Sequence, residues 1–266
     1  MRVNRTATRR ITAVRFAVAF GLAFVALYAA AVLTPTGQRW DAASLGAFDG
    51  LRGDMWLGAY RLRDWMPFVL LGGAAVAGVE ASVRGRWKGI IASLTLVGLA
   101  GGASFISKAG LLPRPQLGGY AYAFNTFPSG HTAVCLAAVV AVVWLAPRWL
   151  HPGVIVVLGM LAASTAFASL LSFAHRGSDI IGGVLLVGAL AFAISAVAGG
   201  DAEGREDHRR PWSIAGATAV VIGTAVLFVG GDTSADAVGY AVLLMTGGTT
   251  SLVLANQAPL RSMPRG

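Results

Sequence analysis

Phe127-Pro128-Ser129-Gly130-His131 opens an apolar run from Thr132 to Ala146, and a second apolar run, Gly153 to Phe173, follows after a short break. Each run is about long enough to cross a hydrocarbon layer of roughly 30 Å at about 1.5 Å rise per residue. The chain therefore goes down and comes back. The return delivers His175 to the membrane face that holds His131, although the two are distant in sequence. Lys108 and Arg114 lie in the loop before this fold-back, and Arg176 and Asp179 in the turn after it.

Composition agrees with a membrane setting. Apolar residues make up 56% of the 266 residues and charged residues 12%, with a mean hydropathy of +0.68. That is about half the charge share of a soluble domain, so a soluble globular protein is excluded. The single Cys135 sits inside an apolar run, which rules out a disulfide framework within one chain and leaves it as small buried filler. The net charge of +9 raises nucleic acid as a partner, but the basic residues form no aromatic-interleaved patch, so none is expected.

Taken in order, Arg2, Arg5, Arg9, Arg10 and Arg15 precede the run Phe16 to Thr34. A cleaved signal peptide is one reading, with Ala29-Ala30-Ala31 as the cleavage site. The run is longer than a usual signal core, which favours an uncleaved first span. An outer loop, Pro35 to Met66, mixes Trp40, Trp56 and Trp65 with Arg and Asp, a composition suited to an interfacial helix. Further runs cover Pro67 to Val83, Gly89 to Ser107, Ile180 to Ala198, Trp212 to Gly231 and Ala237 to Ala255.

The expected fold is an all-α polytopic membrane helix bundle of about eight spans. A six-helix core occupies residues 1–198, with its signature region at 108–179. A cytoplasmic linker, 199–211, leads to a C-terminal transmembrane hairpin and tail, 212–266. With the N-terminus inside, most of the 21 Lys and Arg residues fall on the cytoplasmic side. Lys108, Arg114 and Arg176 are among the exceptions. Cations on the outer side next to His, Ser and Asp read as an anion site.

Lys108 with Arg114-Pro115, then Pro128-Ser129-Gly130-His131, then His175 with Asp179, resembles the three-part signature of the type-2 phosphatidic acid phosphatase superfamily. That superfamily includes integral-membrane lipid phosphatases, prenyl pyrophosphate phosphatases, soluble acid phosphatases and vanadium haloperoxidases. The likeness covers roughly Pro67 to Ala198, and Pro-Ser-Gly-His is its most specific part. It implies His175 as nucleophile through a phosphohistidine, Asp179 as its orienting partner, and His131 as acid and base. No metal or other cofactor is implied.

The residues read for themselves agree. A phosphoryl group in transit carries negative charge on three equatorial oxygens, so its site needs fixed cations and N–H donors. Lys108 and Arg114 supply charge, Ser129 a hydroxyl, and Gly130 an N–H that no side chain screens. A helix beginning at Ser129 adds its unpaired amides. His175 and Asp179, four residues apart, share a helix face, so the carboxylate can hold one ring nitrogen and leave the other for phosphorus. Each residue also has a bland role: Ser129 as an N-cap, Asp179 as a helix-start acid, His151 as an interfacial polar group.

Two departures from the resemblance stand out. The family's Arg ahead of the nucleophilic His is Ser169 here, and the Ser before it is Ala168, so the third motif is degenerate. Arg176, beside His175, is the candidate to supply the charge from another direction. Lys108 and Arg114 are also one residue closer together than in the family pattern.

The expected function is a phosphoric monoester or diphosphate hydrolase of the membrane, acting on the outer face on a lipid-linked phosphate such as a polyprenyl phosphate, polyprenyl pyrophosphate or phosphatidic acid. The Ala, Val, Gly and Arg bias points to a bacterial plasma membrane. Two alternatives are a lipid phosphotransferase using the same histidine, and an inactive lipid-phosphate-binding scaffold, which Ser169 favours. Membrane lipids are the expected surroundings, and oligomeric state is not legible.

Overall fold

The computed structural model describes residues 2–118, 124–146, 152–199, 206–228, 234–257 and 260; His151 and residues 200–205 of the expected linker lie outside them. Among the described residues the chain is helical, in the order α1 (Arg2–Leu27), α2 (Pro35–Ala43), α3 (Asp49–Val83), α4 (Trp87–Ile106), α5 (Gly130–Leu145), α6 (Pro152–Leu171), α7 (Gly177–Ala198), α8 (Glu206–Phe228) and α9 (Ala235–Asn256). Six helices are long and apolar enough to span a membrane, and α5 and α8 contribute shorter apolar stretches, Gly130–Leu145 and Ser213–Val226. The protein is an all-α, multi-pass membrane bundle.

Helix α5 sits at its centre. It runs 16 residues, about 24 Å at 1.5 Å per residue, which is short for a span. Its side chains are nevertheless buried from Thr132 to Leu145 with the exception of Val134. Its apolar character serves the protein core more than contact with lipid, because α3, α4, α6 and α7 surround it. Lipid-facing surface lies elsewhere: α3 exposes Trp65, Phe68, Val69 and Val76, and α4 exposes Trp87, Ile91, Leu94 and Phe105.

The stretch expected to be an outer loop, Pro35 to Met66, is largely helical. Thr34 caps α2 by accepting from the Gly37 N–H at 3.0 Å, and Pro35 opens the helix where its missing N–H costs nothing. Helix α3 then runs 35 residues and passes through Pro67 without a break. One proline removes one backbone bond, and tight packing against neighbouring helices makes that tolerable in a membrane helix. The span starting at Pro67 thus extends back to Met55.

The C-terminal hairpin is docked on the core. Val238, Val242 and Val253 of α9 belong to the same apolar cluster as Leu136, Val140 and Ile180, and α9 packs on α6 and α7. Asp236, in the first turn of α9, accepts from the Phe48 N–H at 2.6 Å, holding the turn between α2 and α3, where Phe48 has a φ of 63°.

Two glycines let α7 approach the fold-back. A β-carbon on Gly182 would lie 2.5 Å from the Phe127 ring, and one on Gly183 would lie 2.7 Å from the Ser129 carbonyl oxygen. With hydrogen in those places the start of α7 seats against the start of α5. The Ser129 N–H donates to the Asp179 carbonyl at 2.7 Å across this contact.

Candidate active site

His131 and His175 face each other with ring centroids 6.1 Å apart. His131 comes from the first turn of α5, and His175 from the turn between α6 and α7. That turn is fixed locally. Phe173 adopts a φ of 56°, and the Ala174 and His175 N–H groups return to the Ser169 carbonyl at 3.1 and 3.4 Å. Arg52 of α3 pins it from outside, donating to the Leu171 carbonyl at 3.1 Å and lying 3.4 Å over the Phe173 ring.

Asp179 has two tasks. Its Oδ2 accepts from the Arg176 N–H at 3.0 Å, closing the start of α7, and also receives the Thr126 hydroxyl. The same oxygen lies 3.5 Å from His175 Nδ1. That distance is at the long edge of hydrogen bonding, as is common before a substrate tightens a site. One carboxylate thus both closes the start of α7 and stands beside the His175 ring. With Nδ1 directed at Asp179, Nε2 is the His175 nitrogen left for chemistry. Burial pushes the His175 imidazole below its usual value; Asp179 opposes this, while Lys108 and Arg63 reinforce it. The neutral, nucleophilic form is favoured.

The phosphate candidates do not share one arrangement. The Lys108 Nζ lies over the start of α5, 3.7 Å from where a β-carbon on Gly130 would stand. Ser129 is fully buried and caps α5, accepting from the Thr132 N–H at 3.4 Å and meeting the Thr132 hydroxyl at 3.1 Å. The Arg114 side chain is buried and paired: its Nη2 donates to Asp41 Oδ2 at 2.5 Å and its Nη1 is 3.8 Å from Asp179 Oδ1. Arg176 is also buried, and its Nη1 donates to the Thr126 hydroxyl at 3.3 Å. Arg176 thus braces the hydroxyl that holds Asp179.

Arg114 Nη1, His175 Nδ1 and Asp179 Oδ1 are all buried with no hydrogen-bond partner among the described residues. Arg114 Nη1 faces Asp179 Oδ1 and His175 Nδ1 faces Asp179 Oδ2, each beyond ordinary hydrogen-bond length. Ser169, by contrast, is fully buried with its hydroxyl on the Thr165 carbonyl at 2.7 Å, and contributes no charge.

Three acidic and basic participants escape a motif reading. Asp41 of α2 accepts from Arg114, from the Ser178 N–H at 2.9 Å and from the Ser178 hydroxyl at 2.8 Å. Burial raises its carboxyl above the usual range and Asp179 adds to this, while Arg114 counteracts both. Asp64 Oδ1 lies 3.6 Å from His131 Nε2, and Arg63 contacts the same oxygen. A signal existed for Asp41 and for Arg63. Gln38 and Asp41 are polar at helical spacing on the buried side of α2, and Arg63 interrupts the buried stripe Ala59, Met66, Leu70 of α3. An apolar cavity of about 260 Å³ backs Asp41, Ser44 and Gly177, but neither imidazole lines it.

Among known families, residues 89–201 match the family model described as the PAP2 superfamily. No curated protein and no solved structure matches the chain.

Proposed function

Because residues 89–201 belong to the PAP2 superfamily, a family made up generally of phosphatases, we propose that this membrane protein hydrolyses a lipid-linked phosphate or pyrophosphate at the end of the bundle where α5 and α7 begin. The observation that carries the reading is the pair of facing imidazoles, 6.1 Å between centroids, one of them directed at a buried carboxylate.

In the first step His175 Nε2 attacks phosphorus, the bond to the leaving oxygen breaks, and His131 gives that oxygen a proton. In the second, His131 takes a proton from water, the hydroxide attacks phosphorus, and the P–N bond breaks to release inorganic phosphate and free His175. Lys108 and the amides at the start of α5 stabilise the charge on the equatorial oxygens, with Arg114 holding Asp179 from behind. A substrate tail remains among the lipid-facing helices while the headgroup reaches the histidines. The cationic N-terminus lies in the cytoplasm of a bacterial cell, and the site opens on the outer face.

The test is turnover of polyprenyl phosphate, polyprenyl pyrophosphate and phosphatidic acid by the detergent-purified protein in EDTA, with acid-labile trapping of the phosphoenzyme. Turnover by the parent, and loss of both turnover and phosphoenzyme in His175→Ala, is the expected result. Undiminished turnover in His175→Ala overturns the mechanism. Ser169 favours a second reading, a lipid-phosphate-binding scaffold; binding without turnover on every lipid would establish it.

A further inference from the structure

The inward stripe of α3 reads Ala59, Arg63, Met66 and Leu70, all buried. Met66 and Leu70 pack on Cys135, Val139 and Ala162 of α5 and α6, as the spacing demands. Arg63 is the charged member of the stripe, 9% exposed. Arg61, two residues earlier, is exposed on another face. A guanidinium on an inward stripe carries a desolvation cost that a solvated position would avoid, so its placement requires a counter-charge.

Asp64 provides one. Its Oδ1 receives Arg63 Nη2 at 2.7 Å and Nε at 3.0 Å. The same oxygen stands 3.6 Å from His131 Nε2. One carboxylate oxygen is therefore held between a guanidinium and an imidazole, beside the second imidazole of His175. This is the environment expected for an oxygen of a bound phosphate: a planar cation with two N–H groups on one side and an imidazole nitrogen on the other. The charge of Arg63 also reaches both His131 and His175. Of the other nearby cations, Arg114 already pairs with Asp41 and Arg176 with the Thr126 hydroxyl, which leaves Lys108 at the start of α5 as the cation that Arg63 would complement.

We propose that Arg63 is a ligand for the substrate phosphate, and that Asp64 Oδ1, between Arg63 and His131, marks the place a phosphate oxygen takes. On binding, the phosphate displaces the carboxylate and takes over the guanidinium. The proposal deepens the phosphatase reading and rests on it for the identity of the substrate.

Binding of inorganic phosphate to the detergent-purified chain, followed by isothermal titration calorimetry, tests it without requiring turnover. Arg63→Gln should weaken binding by about 10- to 100-fold, the range for losing hydrogen bonds to a charged group, and Arg63→Lys by less. Arg61→Gln removes the same formal charge from the exposed face and should leave binding within about twofold, since surface charges are screened. If Arg63 only neutralises Asp64, then Arg63→Gln/Asp64→Asn will bind phosphate as the parent does, and the proposal is overturned. A double variant as weak as Arg63→Gln supports it. Equal weakening by Arg61→Gln would reduce Arg63 to a contributor of long-range field and also overturn it. A parent that binds phosphate through Arg63 but turns over no lipid would sink the phosphatase reading and leave the ligand assignment standing.

Discussion

His175 Nδ1 lies 3.5 Å from Asp179 Oδ2, while the same oxygen receives the Arg176 N–H at 3.0 Å. The carboxylate beside the imidazole is thus also the group that begins α7. Its place next to the histidine is built into the folding of a helix, so a change at Asp179 alters both contacts at once.

His131→Ala and His175→Ala should differ in kind. Without His175 neither product nor phosphoenzyme forms. Without His131 the phosphoenzyme still forms from a p-nitrophenyl ester, whose leaving group needs no proton, while turnover of an alkyl ester falls by about 10²- to 10⁴-fold. Stopped-flow bursts on the two esters measure this; equal losses on both would contradict the acid role.

Burial lowers the affinity of His175 for a proton. A group whose value is depressed stays neutral at pH values where an ordinary imidazole, at about 6.5, is half charged. Histidine-selective ¹⁵N NMR, with His175→Gln used to assign the resonance, should place its midpoint below that value. Phosphoenzyme formation should accordingly persist on the acid side of it. A midpoint above the ordinary value would mean that Asp179 outweighs desolvation.

Asp41→Ala leaves Arg114 buried without its closest partner and removes both bonds to Ser178. Breaking one side of a buried pair costs about 3–5 kcal/mol. The expected readout is a large drop in melting temperature in detergent, with a smaller one for Arg52→Ala, which loosens the turn at Phe173 and the bonds to the Leu45 and Ala47 carbonyls without leaving a buried charge unpaired. Equal melting of Asp41→Ala and parent would show that water replaces the carboxylate.

Gly183→Ala puts a methyl group 2.7 Å from the Ser129 carbonyl and 3.3 Å from the Ala133 nitrogen, both backbone atoms that cannot swing aside. The start of α7 must move away from α5, carrying Asp179 and the turn of His175 with it. Overpacking of this kind costs about 1–3 kcal/mol. A displacement near 1 Å between reacting groups costs about 100-fold in rate. Turnover in detergent should fall by about 100-fold, while the melting temperature should drop less than in Asp41→Ala.

The eight apolar runs, the fold-back between α5 and α7, the cap at Ser129 and the spacing of His175 and Asp179 could all be read from the chain itself. Each depends on near neighbours: a run of apolar side chains long enough to cross lipid, a hydroxyl before a helix, two residues four apart. The sequence also announced that Ser169 brings no charge. Only packing decided which cations face the histidines, because that depends on how each helix is rotated about its axis against the others. Arg114, expected on phosphate, turns to Asp41 and Asp179; Arg176 braces Thr126; Arg63, assigned by its composition to an outer loop, lies on the buried face of a continuous α3. Periodicity says that a residue lies on a face. What that face meets is settled by the shape of α5, α6 and α7 around it.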